Sequence, residues 1–270
     1  MDKKLGLIGC GNMSQAIIGG VVSSKTLLPE DIIVSNPSES KLKEAHDKYK
    51  IETTTDNIEV AKVSDTIILA VKPNKYPEVI SEIKDHIRKN TIIATIAAGI
   101  SIGRTEALFE KEVKIARAMP NTPALVKEAM TALCFNKTIN DDDINKIVDI
   151  FNSCGKSEIV DEKLIDAVTG VSGSSPAYVY MFIEAMADAA VLQGMPRKSA
   201  YKFAAQAVLG SAKMVLETGL HPGELKDNVC SPGGTTIDAV RILEKDNFRY
   251  AVIDAINTCT EKSKQMSKNN

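Results

Sequence analysis

The sequence predicts an α/β chain in which a doubly wound parallel sheet comes first and an all-α part follows. Three observations carry this. Short apolar runs alternate with helical segments over the first half, a glycine-punctuated turn joins the first run to the first helix, and no strand-like run follows Val160. At 270 residues the chain is long for a single core, so two domains are expected, residues 1–160 and 161–270.

Residues 5–9 are apolar and end in glycine, which suits a buried parallel strand, and residues 13–22 read as the helix behind it. Residues 31–34, 66–71, 91–97 and 113–119 repeat the strand pattern, with helices expected over 38–50 and 77–88 and a break at Pro73. The first half is therefore Rossmann-like. In the second half the segments become long and alanine-rich. Pro176 stands where a first helical residue should, after Ser174 or Ser175 as N-cap, and Gly194 marks the stop. Residues 177–193 are apolar on nearly every face, interrupted by Glu184, Asp188 and Gln193, and ionisable residues near the middle argue against a membrane span. Such a helix has to be buried all round, and a small helical domain achieves that most economically against a second subunit. The Lys-, Ser- and Asn-rich end after Thr260 reads as a frayed terminus.

Hydrophobic residues at 44% and charged residues at 25% are ordinary for a globular protein, which excludes disordered and fibrous classes. A net charge of −2 with both signs interspersed leaves no footprint for nucleic acid or a membrane surface, so small-molecule chemistry is expected. The five cysteines are scattered without C-x-x-C or Cys/His ligand spacing, and read as reduced thiols with no metal site. Together with an N-terminus that reads as a strand and not as a signal peptide, they point to the cytosol.

Gly9-Cys10-Gly11-Asn12-Met13-Ser14 ends the first strand and opens the first helix, the context a dinucleotide fingerprint requires. Gly9 allows a tight turn, Gly11 lets the backbone approach a pyrophosphate, and the helix start at Asn12 and Met13 offers N–H groups to the anion. Ser14 replaces the third glycine and is small enough to keep helix and strand close. A glycine turn with no ligand is the plainer alternative. The second strand ends in Ser35-Asn36-Pro37-Ser38, where an NAD enzyme usually carries a carboxylate for the ribose. Ser35, Asn36, Ser38 and Lys41 could instead serve a 2′-phosphate, so NADP(H) is favoured, with NAD(H) possible; Ser38 also reads as a helix cap. The reacting end of the cofactor is expected beside Ala70-Val71-Lys72-Pro73 and Ala97-Ala98-Gly99, where small residues leave room. Lys72 fits a phosphate, ribose or carbonyl partner better than a proton donor.

The run from Pro222 to Val240, containing Ser231-Pro232-Gly233-Gly234-Thr235-Thr236, resembles the signature segment of the pyrroline-5-carboxylate reductase family. Met119-Pro120-Asn121-Thr122-Pro123 and Gly173-Ser174-Ser175-Pro176-Ala177-Tyr178 add to the resemblance, and order and spacing agree from residue 5 to about residue 255. Ser175 departs from it, since many members have glycine there. The resemblance implies a Rossmann domain joined to a helical dimerisation domain, with two chains interleaved and dimers often assembled into rings. It also implies hydride transfer from NADPH to the C=N carbon of 1-pyrroline-5-carboxylate, giving L-proline as the last step of proline biosynthesis. Asn57 joins the cofactor-binding set on the same ground, and Glu162 comes near the substrate.

The signature segment makes chemical sense. Ser231, Gly233 and Gly234 lead into a helix expected to start near Thr235, whose bare N–H groups suit a substrate carboxylate, and Thr236 could set its hydroxyl against the ring nitrogen. The alternative is a turn that Thr235 or Thr236 merely caps. His46, His86 and His221 are scattered, expected exposed, and outside the chemistry. Two other functions share much of this pattern. A 3-hydroxy-acid dehydrogenase of similar architecture would use a lysine on the central helix, and residues 169–178 hold none. A dinucleotide-sensing protein would need the cofactor motif without the substrate turn.

Overall fold

The computed structural model of the chain describes residues 2–269. Among the described residues eight strands form one sheet: β1 (Lys3–Ile8), β2 (Ile32–Ser35), β3 (Glu52–Thr54), β4 (Ser64–Leu69), β5 (Ile92–Thr95), β6 (Lys114–Met119), β7 (Ala129–Phe135) and β8 (Gly155–Ile159). Their order is β3-β2-β1-β4-β5-β6-β7-β8, parallel except where β7 meets β6 antiparallel. The helices in this part are α1 (Asn12–Ser23), α2 (Glu39–Tyr49), α3 (Asn57–Val63), α4 (Tyr76–Ile83), α5 (Ile102–Phe109), α6 (Asp141–Asn152) and α7 (Ile165–Val168).

The apolar runs are continuous because both faces of the sheet are covered, and alternate residues divide between two cores. Leu5, Leu7, Ile32, Val34 and Ile68 pack with α1, α2 and α6, around Ile17, Val21, Leu42 and Phe151. Ile8, Ile33, Ile67 and Leu69 face the other way, onto α3, α4 and α5, around Val60, Tyr76, Ile80 and Phe109. Reversal of strand order at β1 and β4 puts a crevice beyond their carboxyl ends, where such sheets bind ligands.

The sheet has three strands that the apolar runs do not announce: β3, β7 and β8. β8 is an edge strand with little burial, and β3 is only three residues long. Helix α4 ends at Ile83, short of the expected residue 88.

The rest is helical: α8 (Ser175–Leu192), α9 (Arg197–Thr218), α10 (Pro222–Val229), α11 (Thr235–Lys245) and α12 (Phe248–Asn269). A π-helical turn over Thr169–Gly173 runs directly into α8, and Gly194 turns the chain at φ +91°. The chain packs as two units, one ending at Ser174 and resuming at Thr258, the other spanning Ser175–Asn257. This division falls later than the change of texture at Val160. The expectation of a frayed terminus is corrected: the segment after Thr260 is helical, and its buried Ser263 donates to Asp166 Oδ1 at 2.6 Å within the first unit. Serines on that face find a carboxylate, which the composition of the segment does not reveal. In the second unit α8 packs on α9 around Ala187, Ala200 and Ala204. Many of its large apolar residues are exposed, among them Met181 at 69%, Phe203 at 68% and Leu216 at 84%. No helix among the described residues is long and apolar enough to cross a membrane.

Candidate active site

The turn from β1 to α1 is built around two glycines with different duties. Gly9 sits at φ +104°, and a methyl group there would stand 2.7 Å from the Ala70 carbonyl oxygen. Its N–H donates to Ser35 O at 2.8 Å, while Ala70 N–H donates to Ile8 O at 2.9 Å, so the ends of β1, β2 and β4 are tied together. Gly11 is the N-cap of α1, and nothing lies within 4 Å of where its side chain would begin. That open space stands before Asn12 and Met13, at a helix N-terminus whose first turn holds no acidic residue. Ser14 is buried and donates to Gly9 O at 2.6 Å, so the residue in place of the third glycine locks the turn with its hydroxyl.

At the end of β2, Asn36 Oδ1 accepts from Cys10 N–H at 3.1 Å and joins this strand to the glycine turn. Ser35 is fully buried and donates inward, to Asn57 Oδ1 at 2.7 Å. Asn57 in turn donates through Nδ2 to Glu82 Oε2 at 2.8 Å. Ser38 is the N-cap of α2 by position, but its hydroxyl pairs with Ser40 at 3.0 Å and makes no cap bond. Sequence reasoning paired Ser35 directly with a phosphate; the inward bond is visible only once α3 and α4 are in place.

Beyond β4 and β5 lie Ala70, Val71, Lys72 and Pro73, and Ala97, Ala98 and Gly99. Lys72 is exposed, Ala97 is buried, and Gly99 turns at φ +77°. Tyr76, which the sequence did not single out, is buried with its hydroxyl donating to Leu69 O at 2.7 Å, and burial pushes its ionisation well above the usual phenol range. It is thus a neutral tie to the end of β4. Asn121, from the Met-Pro-Asn-Thr-Pro run, donates to Ser172 O at 3.0 Å and accepts from Met130 N–H at 3.1 Å. It thereby clamps the π-helical turn to β7.

Glu162 is already engaged. Its Oε1 accepts from Ile102 N–H and from Arg117 Nη1, each at 2.8 Å, and Arg117 is buried. Burial, and after it the neighbouring Glu162 charge, pushes the Cys134 thiol up to about 11, and burial also raises Cys10 and Cys154. These thiols are protonated at neutral pH and are no nucleophiles. Among the described residues no group of His, Cys, Asp and Glu could hold a metal ion. His46, His86 and His221 are exposed, and His221 serves α10 as its cap, with Nδ1 accepting from Gly223 N–H at 3.0 Å.

In the helical unit, Ser231, Pro232, Gly233 and Gly234 form a tight turn. Gly233 has φ +65°, Gly234 N–H donates to Ser231 O at 3.0 Å, and a methyl group on Gly234 would meet Ser231 Oγ at 2.4 Å. Gly234 is the N-cap of α11 and makes no side-chain cap bond. Thr235 and Thr236 are therefore the first residues of the helix, so the plainer reading in which one of them caps it does not hold. A cap without a side chain leaves the first-turn N–H groups of α11 without a side-chain acceptor, the setting in which helix starts bind anions.

Residues 162–266 match the family described as pyrroline-5-carboxylate reductase dimerisation, and residues 4–99 match NADP oxidoreductase, coenzyme F420-dependent. The chain is 53% identical over 268 residues to pyrroline-5-carboxylate reductase of Escherichia coli (strain K12), covering 99% of this chain and 100% of that one. The structure of a pyrroline-5-carboxylate reductase from Coxiella burnetii superposes with a TM-score of 0.92 at 34% identity, covering 99% of both chains. That of pyrroline carboxylate reductase from Plasmodium falciparum, with NADP bound, gives 0.89 at 36% identity over 98% of both. With a glycine turn at one helix start, a glycine-capped start at another and 53% identity along the full chain, the protein belongs to the pyrroline-5-carboxylate reductase family.

Proposed function

We infer that this chain is an NADPH-dependent reductase of the C=N bond of 1-pyrroline-5-carboxylate, forming L-proline in the last step of proline biosynthesis. The observation that carries the reading is identity of 53% along the whole length of a reductase of that name. The cradle fits the cofactor: Gly11 leaves open space at a helix N-terminus that favours a pyrophosphate. Gly11, Asn12 and Met13 hold the phosphates around the turn that Gly9 makes, its own N–H being spent on Ser35 O; Asn36 and Asn57 face the adenosine ribose, and Ser35 acts behind Asn57. The segments from Ala70 to Pro73 and from Ala97 to Gly99 flank the nicotinamide, which supplies the hydride when bound.

Ser231, Gly233 and Thr235 hold the substrate carboxylate at the start of α11, where Gly234, its N–H spent on Ser231 O, caps the helix without a side chain in the way. The Thr236 hydroxyl faces the ring nitrogen, accepting its proton as a hydrogen bond when the substrate enters as an iminium. No separate acid is then required, in keeping with three exposed histidines. Fixing the ring by carboxylate and nitrogen presents one carbon to the cofactor, and orientation is the main demand of hydride transfer. Glu162 contributes through Oε2, because Oε1 is spent on Arg117 and Ile102. The helical unit pairs with that of a second chain, with rings of dimers as the larger assembly, and the enzyme works in the cytoplasm; NADH serves as the weaker donor.

The test is loss of NADPH absorbance with 1-pyrroline-5-carboxylate in wild-type and Thr236→Ala enzyme. A fall in kcat/KM of about tenfold or more, ~1.4 kcal/mol of transition-state stabilisation, is expected. Tight NADPH binding without turnover of this imine would overturn the substrate assignment and leave the cofactor site standing.

A further inference from the structure

The end of β2 carries no carboxylate, yet one stands a single side chain away. Ser35 closes the strand, and its buried hydroxyl is donated to Asn57 Oδ1 at 2.7 Å. Asn57 Nδ2 donates to Glu82 Oε2, on α4, at 2.8 Å. A carboxylate only accepts, so the amide face turned to Glu82 has to be the nitrogen, and the oxygen then faces Ser35. The two bonds agree and fix the sense of the amide. Asn57 is half-buried, so its second amide hydrogen is what this relay offers to a ligand at the end of β2.

We propose that Glu82 is a positioning residue that, through Asn57, sets how strongly the enzyme distinguishes NADPH from NADH. The proposal rests on the reductase reading above. A ribose 2′-hydroxyl and a 2′-phosphate can both accept from the Asn57 N–H, so that bond alone favours neither. They differ in charge. A phosphate oxygen bonded to Asn57 comes within ~5 Å of Glu82, and like charges at that separation repel even at a solvated rim. A neutral hydroxyl at the same place is unaffected. Glu82 thus orders the amide for both cofactors while weakening the grip on the phosphate, which keeps NADH usable.

The experiment is binding, not turnover. Wild-type and Glu82→Gln chains are titrated with NADPH and with NADH, followed by nicotinamide fluorescence. Glutamine retains an oxygen for the Asn57 N–H and removes the charge. The Kd for NADPH should fall about three- to tenfold and that for NADH should stay within about twofold. The gap between variants should narrow in high salt, which screens the repulsion. Equal shifts for both cofactors, or none, would overturn the role of Glu82 and leave the reductase reading intact. A wild-type chain that binds neither cofactor would overturn both.

Discussion

Gly9 and Gly11 lack the same side chain for different reasons, and the difference is measurable. At Gly9 the backbone is left-handed at φ +104° and crowded by Ala70. Gly9→Ala should therefore cost stability, ~1–3 kcal/mol, and loosen the join between β1 and β4. At Gly11 the backbone is extended and the space is open, so Gly11→Ala should melt like the wild type. The methyl group would instead stand where the backbone has to approach the pyrophosphate, and NADPH binding should weaken by about tenfold or more. Melting curves and cofactor titrations on the two variants separate these effects; equal melting temperatures would remove the strain argument. Both glycines were legible in the sequence because spacing and strand context suffice to find them. The inward turn of Ser35 was not, since it depends on Asn57 and Glu82 arriving from later helices.

At the scale of elements, what the sequence showed was apolar continuity, and what it hid was polarity. The parallel strands β1, β2, β4, β5 and β6 were readable because burial on both faces demands unbroken runs. β8, with the sequence Gly-Lys-Ser-Glu-Ile and mostly exposed, gives no such run. The helix between β7 and β8, α6, carries a polar anchor that burial alone would forbid. Asp143 is 4% exposed; burial favours its neutral form, but hydrogen bonds from Lys114 and Lys146 outweigh that and hold its carboxyl below the usual range. A carboxyl lowered on folding stabilises the native state above its unfolded value of about 3.9, and that contribution is lost as pH falls through the folded value. Asp143→Asn should lower the melting temperature at pH 7 by about 3 °C, the shift that ~1 kcal/mol produces in a chain of this size. The difference should shrink as the pH drops below about 4. A gap that stays constant down to strong acid would show that packing, not charge, matters at this site.

For the whole molecule the decisive contrast is between a unit with two large cores and a unit with almost none. The first unit buries full-sized side chains on both faces of its sheet, whereas the second buries only Ala187, Ala200 and Ala204 between α8 and α9. Exposed Met181, Phe203 and Leu216 leave that unit short of the apolar burial an independent domain requires. The sequence showed this as a helix apolar on every face, because a surface helix would alternate. On the proposed dimer, folding of the helical unit and association are one process, so stability has to depend on protein concentration. A tenfold dilution should lower the melting temperature, and Phe203→Asp should shift the sedimenting species toward monomer by adding a buried, unpaired charge to the interface. The variant should lose helical signal in the same step, while retaining NADPH binding by the first unit. A melting temperature independent of concentration, with Phe203→Asp still helical and active, would mean that the helical unit stands alone and that its exposed apolar face has another use.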